Sequence, residues 1–184
     1  MSMTGILVAV LLFSAQLPPS AAWEQANRDT KRIEPAALVG IPDWIRTELV
    51  RRRCAIPQPW GATGQRNVVR GRFNDGPAVD WAVLCSRDLS STILVFWDGS
   101  ATSIAEVAST LDATYLQVVM GGQIGFSRAI DVASSVAIRE YAVDSGGSRL
   151  PPLDHDGIND AFVGKASVIW YWHQGQWLQL DGAD

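Results

Sequence analysis

The sequence is poor in the side chains that usually hold a structural metal, with two cysteines and two histidines among 184 residues. A structural zinc ion takes four ligands, and the sequence has no H-E-x-x-H motif, so both patterns argue against a zinc site. The two cysteines, Cys54 and Cys85, allow one intramolecular pairing. We predict a Cys54–Cys85 disulfide if the protein is exported, with two free buried thiols as the alternative.

The sequence also lacks a strongly basic region. Residues 23–90 carry 11 Lys or Arg against 8 Asp or Glu, and residues 91–184 carry 4 against 11, so the two parts have net charges of +3 and −7. Neither part has the charge of a typical nucleic-acid-binding domain, so we expect no nucleic-acid partner. The basic run at residues 51–53 could contact an anionic surface such as an envelope polymer, or it could be solvated at a helix end.

No stretch is apolar for long enough to span a membrane, which takes roughly 20 residues. The apolar run at residues 5–13 is followed by small residues and prolines at 17–22, a pattern typical of a signal peptide. We predict a signal peptide over residues 1–22, with a retained anchor as the alternative. The mature chain would then be periplasmic or extracellular, with no transmembrane span.

The remaining residues are enough for one domain. Residues 23–40 are polar and lack a sustained period, which predicts a flexible lead-in, and residues 41–184 are predicted to form a single globular domain. Strand and helix patterns mix without strict alternation, so we expect an α+β fold. Its antiparallel sheet would be built from two β-hairpins, near residues 81–97 and 167–180, with two or three short helices.

Three segments decide the helix count. Pro42 at a first turn, followed by apolar residues four apart, predicts a helix that ends near the basic run. Ser103 and Glu106 form a capping box, and the apolar spacing after it predicts a second helix over residues 104–111. Residues 127–143 fit either a helix or a strand.

The most distinctive segment is LDHDGINDAFV at residues 153–163, which has a weaker copy, FNDGPAVDWAV, at residues 73–83. In the first of these, Asp154, Asp156 and Asp160 place short oxygen ligands around Gly157. Such a set suits Ca²⁺, which takes six to eight oxygens. The same residue types also favour metal-free turns. We therefore keep calcium and a plain turn as alternatives.

The segment GRFNDG at residues 71–76, with DWAVL at residues 80–84, resembles one FG-GAP repeat, the integrin-type propeller-blade motif. In that family an acidic calcium loop precedes a strand, and the resemblance places Asp154, Asp156 and Asp160 at the third, fifth and ninth loop positions. The first position is normally acidic but falls here on Arg72 and Pro152. Two copies eighty residues apart cannot close a propeller, so the resemblance is local, with no whole-chain family match, and implies calcium only at the second copy.

All eight tryptophans follow residue 22. Trp170 and Trp172 are two apart and so share one strand face, with His173 and Trp177 close by. If that face is exposed, the indoles could form a ligand-binding platform for a carbohydrate or a protein partner. If it points inward, they belong to the core.

The sequence contains residue types for a hydrolase, in Ser86, Ser167, His155 and Asp156, but no G-x-S-x-G motif. We therefore predict a binding or interaction protein of the cell envelope or extracellular space rather than an enzyme, with stabilisation by calcium left open. A secreted hydrolase with an unrecognised active site and a purely structural envelope protein are the alternatives.

Overall fold

A computed structural model describes residues 19–97, 100, 102–144 and 150–183. In these residues the chain has three α-helices and twelve strands, which pair into four antiparallel sheets. The predicted mixed α+β class is therefore confirmed. The helices are α1 (Pro19–Asp29), α2 (Asp43–Arg51) and α3 (Ser135–Asp144).

The first large sheet contains β3 to β6 in sequential order. Its central strands, β4 and β5, are buried on both faces because α2 covers one face and the second large sheet covers the other. Asp88 and Leu89 connect these strands with φ angles of 51° and 60°, the positive values that tight hairpin turns require. The strand bounds are β3 (Val68–Gly71), β4 (Asp80–Arg87), β5 (Ser90–Phe96) and β6 (Ile104–Leu111).

The prediction of a helix over residues 104–111 was wrong, because these residues form β6. The capping box and the apolar spacing are local signals, whereas β5 offers a full edge of backbone hydrogen-bonding groups. Pairing with β5 satisfies those groups and buries Val107 in the core. Tertiary context of this kind regularly overrides helix propensity.

The second large sheet has the order β12-β11-β10-β9. Side chains alternate along β11, so Ile169 and Tyr171 pack in a cluster with Ile138 of α3, whereas Trp170 faces the first large sheet. The ambiguous residues 127–143 divide into a strand and a helix. The strand bounds are β9 (Arg128–Ala133), β10 (Gly157–Phe162), β11 (Ala166–His173) and β12 (Gln176–Asp181).

Asn67 joins the two large sheets. Its side chain donates hydrogen bonds to the carbonyls of Pro57 at 2.6 Å and Arg128 at 3.1 Å, and it accepts one from the Ile130 amide at 2.9 Å. Asn67 is buried and has a φ of 68°, a conformation that asparagine tolerates better than most residues. One side chain therefore satisfies three backbone groups where regular pairing is interrupted.

The predicted disulfide between Cys54 and Cys85 is confirmed, with a Cα–Cα distance of 5.0 Å. It joins the segment that follows α2 to β4. Beside it, Ala55 and Ser86 exchange two backbone hydrogen bonds of 2.9 Å. A disulfide is consistent with a protein outside the cytoplasm.

The amino-terminal part, which includes the lead-in predicted over residues 23–40, contains regular elements. Helix α1 packs on a two-stranded sheet of β7 (Leu116–Val118) and β8 (Ile124–Phe126), and Trp23 is partly buried against the core. Strands β1 (Arg32–Ile33) and β2 (Ile56–Pro57) form the other small sheet. Residues 1–18 of the predicted signal peptide lie outside the described residues. Among the residues that the structure describes, no helix is long and apolar enough to cross a membrane.

Candidate functional site

The two acidic segments identified in the sequence are docked against each other. The Asp156 amide donates to the Arg72 carbonyl at 2.7 Å, and the Arg72 amide donates to Asp156 Oδ2 at 3.0 Å. In the first segment, Asn74 Oδ1 accepts the Gly76 amide and Asp80 Oδ2 accepts the Phe73 amide. Carboxylate and amide oxygens therefore organise the backbone of both turns.

The Tyr171 hydroxyl forms hydrogen bonds with the second acidic segment and with the residue before it. This hydroxyl lies 3.0 Å from the Pro152 carbonyl and 3.1 Å from Asp154 Oδ1, and it accepts the Asp154 amide at 3.2 Å. The ring of His155 stacks on Tyr171 with centroids 4.2 Å apart, and burial raises the pKa of the Tyr171 phenol. His155 is itself buried, so it is a packed element of this loop.

Asp160 points away from the other two aspartates. It lies in β10, where Oδ1 accepts Arg128 Nε at 2.8 Å and Oδ2 accepts Arg128 Nη2 at 2.7 Å. Trp170 Nε1 donates to the same Oδ2 at 3.3 Å. The described residues contain no group of three Asp, Glu, His or Cys side chains arranged to hold a metal. Calcium at this loop stays a prediction, and Asp160 has other partners.

The buried side chain of Arg128 forms hydrogen bonds with both large sheets. Besides Asp160, its Nη1 donates to the Ser91 carbonyl at 3.1 Å and to the Ser91 hydroxyl at 3.0 Å, and its Nη2 donates to the Ala108 carbonyl at 2.7 Å. All five N–H groups of the guanidinium thus have acceptors. The Tyr115 ring lies 4.8 Å from the guanidinium carbon, a favourable cation–π distance.

These bonds connect β9 and β10 of the second sheet with β5 and β6 of the first. The pairing register shifts between Ser91 and Ile93, and Ala108 has a φ of 56°, so both first-sheet strands depart from regular pairing where they meet Arg128. Sequence reasoning missed this centre. Its one signal was an arginine inside an otherwise apolar strand pattern, a position where an unpaired charge is very costly.

A cluster of three tryptophans lies where the ends of the two sheets meet. Trp172 and Trp177 are direct cross-strand partners on β11 and β12, with ring centroids 5.4 Å apart. Trp97, which follows β5, stacks on Trp177 at 5.6 Å with an interplanar angle of 21° and lies 5.4 Å from Trp172. All three side chains are half-buried. We call these three residues the tryptophan cluster.

The other two predicted ligand-binding residues lie apart from this cluster. Trp170 shares the inward face with Trp172, but it lines a separate cavity of about 310 Å³ together with Tyr115 and Arg128. His173 falls on the opposite face of β11 because successive side chains alternate. Trp97 was missed by the sequence analysis, since only the contact between sheets brings it beside the carboxy-terminal hairpin.

Each serine considered for a hydrolase has a hydrogen-bond partner other than His155. The Ser86 hydroxyl donates to buried Asp112 at 2.5 Å, and the Ser167 hydroxyl donates to the Ala183 carbonyl at 3.2 Å. His155 Nδ1 lies 2.9 Å from the Asp156 carbonyl. No hydrogen bond among the described residues connects this histidine with either serine.

Comparison with known proteins found no family model, no curated protein and no solved structure that matches this chain. The local FG-GAP resemblance therefore stays a prediction, and the function has to be argued from the geometry of the site itself.

Proposed function

We propose that this protein is an exported binding protein whose ligand, a carbohydrate or another protein, contacts the tryptophan cluster. The observation that carries the proposal is the half-buried stack of Trp97, Trp172 and Trp177 at the meeting point of the sheets. Indole rings combine a large apolar face with a hydrogen-bond donor, which is why tryptophan is enriched at binding hot spots.

The arrangement of the cluster favours binding because its rings are held by different elements. Trp97 directly follows β5 of the first large sheet, whereas Trp172 and Trp177 come from adjacent strands of the second. Side chains fixed by packing lose little conformational freedom when a ligand binds.

The proposed location is the periplasm or the extracellular space. The Cys54–Cys85 disulfide supports it, since such bonds persist in oxidising compartments. The apolar run at residues 5–13 and the small residues after it support it independently.

We expect Trp172→Ala to weaken ligand binding by about 2 kcal/mol or more, a loss of roughly thirtyfold in affinity, because it removes one face of the cluster. The measurement is a glycan array and an affinity capture with the purified mature protein, followed by titration of whatever binds. Trp172→Phe should retain part of the affinity, since it keeps an aromatic ring.

Trp60→Ala is the matched control, because Trp60 is 43% exposed and is not part of the cluster. Its affinity should equal that of the unaltered protein. Unchanged binding by a folded Trp172→Ala protein, or equal losses in Trp172→Ala and Trp60→Ala, would contradict the proposal.

We also propose a calcium site at the second acidic segment, with two aspartate ligands instead of the three that the sequence predicts. Both oxygens of Asp160 are bonded to Arg128, so carboxylate ligands could come only from Asp154 and Asp156, completed by carbonyl groups and water. A bound ion at this loop would stabilise the docking of the two acidic segments.

If the ion binds there, calcium at about 100 times its dissociation constant should add about 2.7 kcal/mol to the free energy of unfolding and raise the melting temperature. Asp156→Asn should abolish the increase, and Asp75→Asn in the first acidic segment should leave it intact. Identical melting curves in calcium and in chelator would show that the loop is a metal-free turn.

A further inference from the structure

The basic run at residues 51–53, at the end of α2, does not act as one charged patch. Arg51 and Arg52 both bond to Glu48, at 2.6 Å and 2.8 Å, and Arg52 also bonds to Glu106 at 2.5 Å. Hydrogen bonding to Arg51, and then to Arg52, lowers the pKa of the Glu48 carboxyl to about 2. The charges of Arg51 and Arg52 are therefore paired with carboxylates of the protein. Arg53, the third arginine of the run, is not part of these ion pairs.

Arg53 leaves the helix in the left-handed region, with a φ of 57°. This turn carries it to a surface cavity of about 280 Å³ that Arg32 and Arg87 also line. The guanidinium groups of Arg53 and Arg87 have no hydrogen bond or ion pair within the described residues. A non-glycine residue in this backbone region is uncommon and costs free energy, which makes the conformation of Arg53 informative.

The charges around the cavity do not cancel. Arg32 bonds to buried Asp112 at 2.8 Å, so its charge is largely compensated from behind. Asp88 also lines the wall and is exposed. The cavity therefore has a net positive charge, because Arg53 and Arg87 are unpaired within the described residues and only Asp88 opposes them. The whole chain, in contrast, has a net charge of −4.

The disulfide holds together the two backbone segments that carry these arginines. Arg53 directly precedes Cys54, and Arg87 is two residues after Cys85. The backbone hydrogen bonds between Ala55 and Ser86 tie the same two segments together. Like charges that line one cavity repel each other, and a bound anion reduces that repulsion.

We propose that this cavity binds a phosphate-class oxyanion between Arg53 and Arg87. Guanidinium groups match the oxygen geometry of phosphate and can bind it in a bidentate manner. The phosphate could be the free ion or a group carried on a polymer, and both have the same chemistry at the site. This site is separate from the tryptophan cluster, so either proposal can fail without the other.

The test is a titration of the intact, oxidised protein with inorganic phosphate at constant ionic strength, followed by calorimetry or by amide shifts near residues 53 and 87. Binding should saturate, and Arg53→Ala and Arg87→Ala should each weaken it at least about tenfold. Added NaCl should weaken it as well, because the site is open to solvent. Linear polyphosphate that binds more tightly than phosphate would identify polymer-borne groups, and weaker binding would identify the free ion.

Arg139→Ala is the control, since this exposed arginine belongs to α3 and does not line the cavity. It should keep the affinity of the unaltered protein, and Arg53→Lys should keep part of it. Unchanged melting temperatures would establish that the variants are folded. Non-saturable phosphate binding, equal binding of acetate, or an equal loss in Arg139→Ala would overturn the proposal.

Discussion

Arg128→Met should lower the free energy of unfolding by about 3–5 kcal/mol, because it leaves the carboxylate of Asp160 buried without its counter-ion. The same change removes the donors that satisfy the Ser91 and Ala108 carbonyls, two acceptors in the first sheet. Denaturant unfolding followed by circular dichroism measures the loss. Asp160→Asn should be destabilising for the converse reason, since it leaves the buried guanidinium with an uncompensated charge.

The double variant Arg128→Met with Asp160→Leu separates the value of the pair from the cost of breaking it. Apolar replacement of both partners of a buried ion pair is often neutral, so the double variant should be more stable than either single variant. Arg66→Met is the surface control, because its ion pair with Asp131 is solvent-exposed and should be worth at most about 1 kcal/mol. A loss below that value in Arg128→Met would contradict the assigned role.

Removal of the disulfide should have the next largest effect. The bridge spans 31 positions of the sequence, and closing a loop of about this length is worth roughly 3 kcal/mol in the chain-entropy description. The variant with Cys54→Ala and Cys85→Ala should lose about that amount, plus a smaller amount for the apolar contacts of two buried sulfur atoms. Denaturant unfolding of the oxidised protein and the double variant gives the difference.

Reductant separates the covalent contribution from the packing contribution. It should destabilise the unaltered protein and leave the double alanine variant unchanged. Thiol labelling of the denatured protein without reductant should find no free sulfhydryl. Labelling of both cysteines, or full stability of the reduced protein, would show that the bridge does not stabilise the fold.

The parts of the structure that were predictable from sequence depend on local patterns, or on a residue type that allows only one intramolecular pairing. Two cysteines allow only one intramolecular pairing, and the apolar β-rich run after Asp80 indicates a buried strand. The cross-strand pairing of Trp172 with Trp177 follows from a short turn at Gln174 and Gly175, both of which have positive φ angles. Each of these inferences needs information from only one short stretch or one residue type.

The parts that were not predictable depend on which strands become neighbours. Arg128 meets Ser91 and Asp160 from strands 37 and 32 residues away, and no local pattern encodes those distances. Asp160 was grouped with Asp154 and Asp156 by spacing, but strand alternation in β10 turns it toward the first sheet. The helix predicted over residues 104–111 was wrong for the same reason, since a neighbouring strand edge determined its conformation.

The tryptophan cluster also gives the molecule an intrinsic optical reporter. Trp97 directly follows a strand of one sheet, and Trp172 and Trp177 belong to the other, with ring centroids 5.4 to 5.6 Å apart. At such distances the electronic transitions of indole rings couple and produce an exciton signal in circular dichroism. The Trp97 contribution to this signal depends on the relative position of the two sheets, because Trp172 and Trp177 pair within one sheet. The peptide bands depend instead on the strands within each sheet. Separation of the sheets is therefore distinguishable spectroscopically from loss of secondary structure, without an added label.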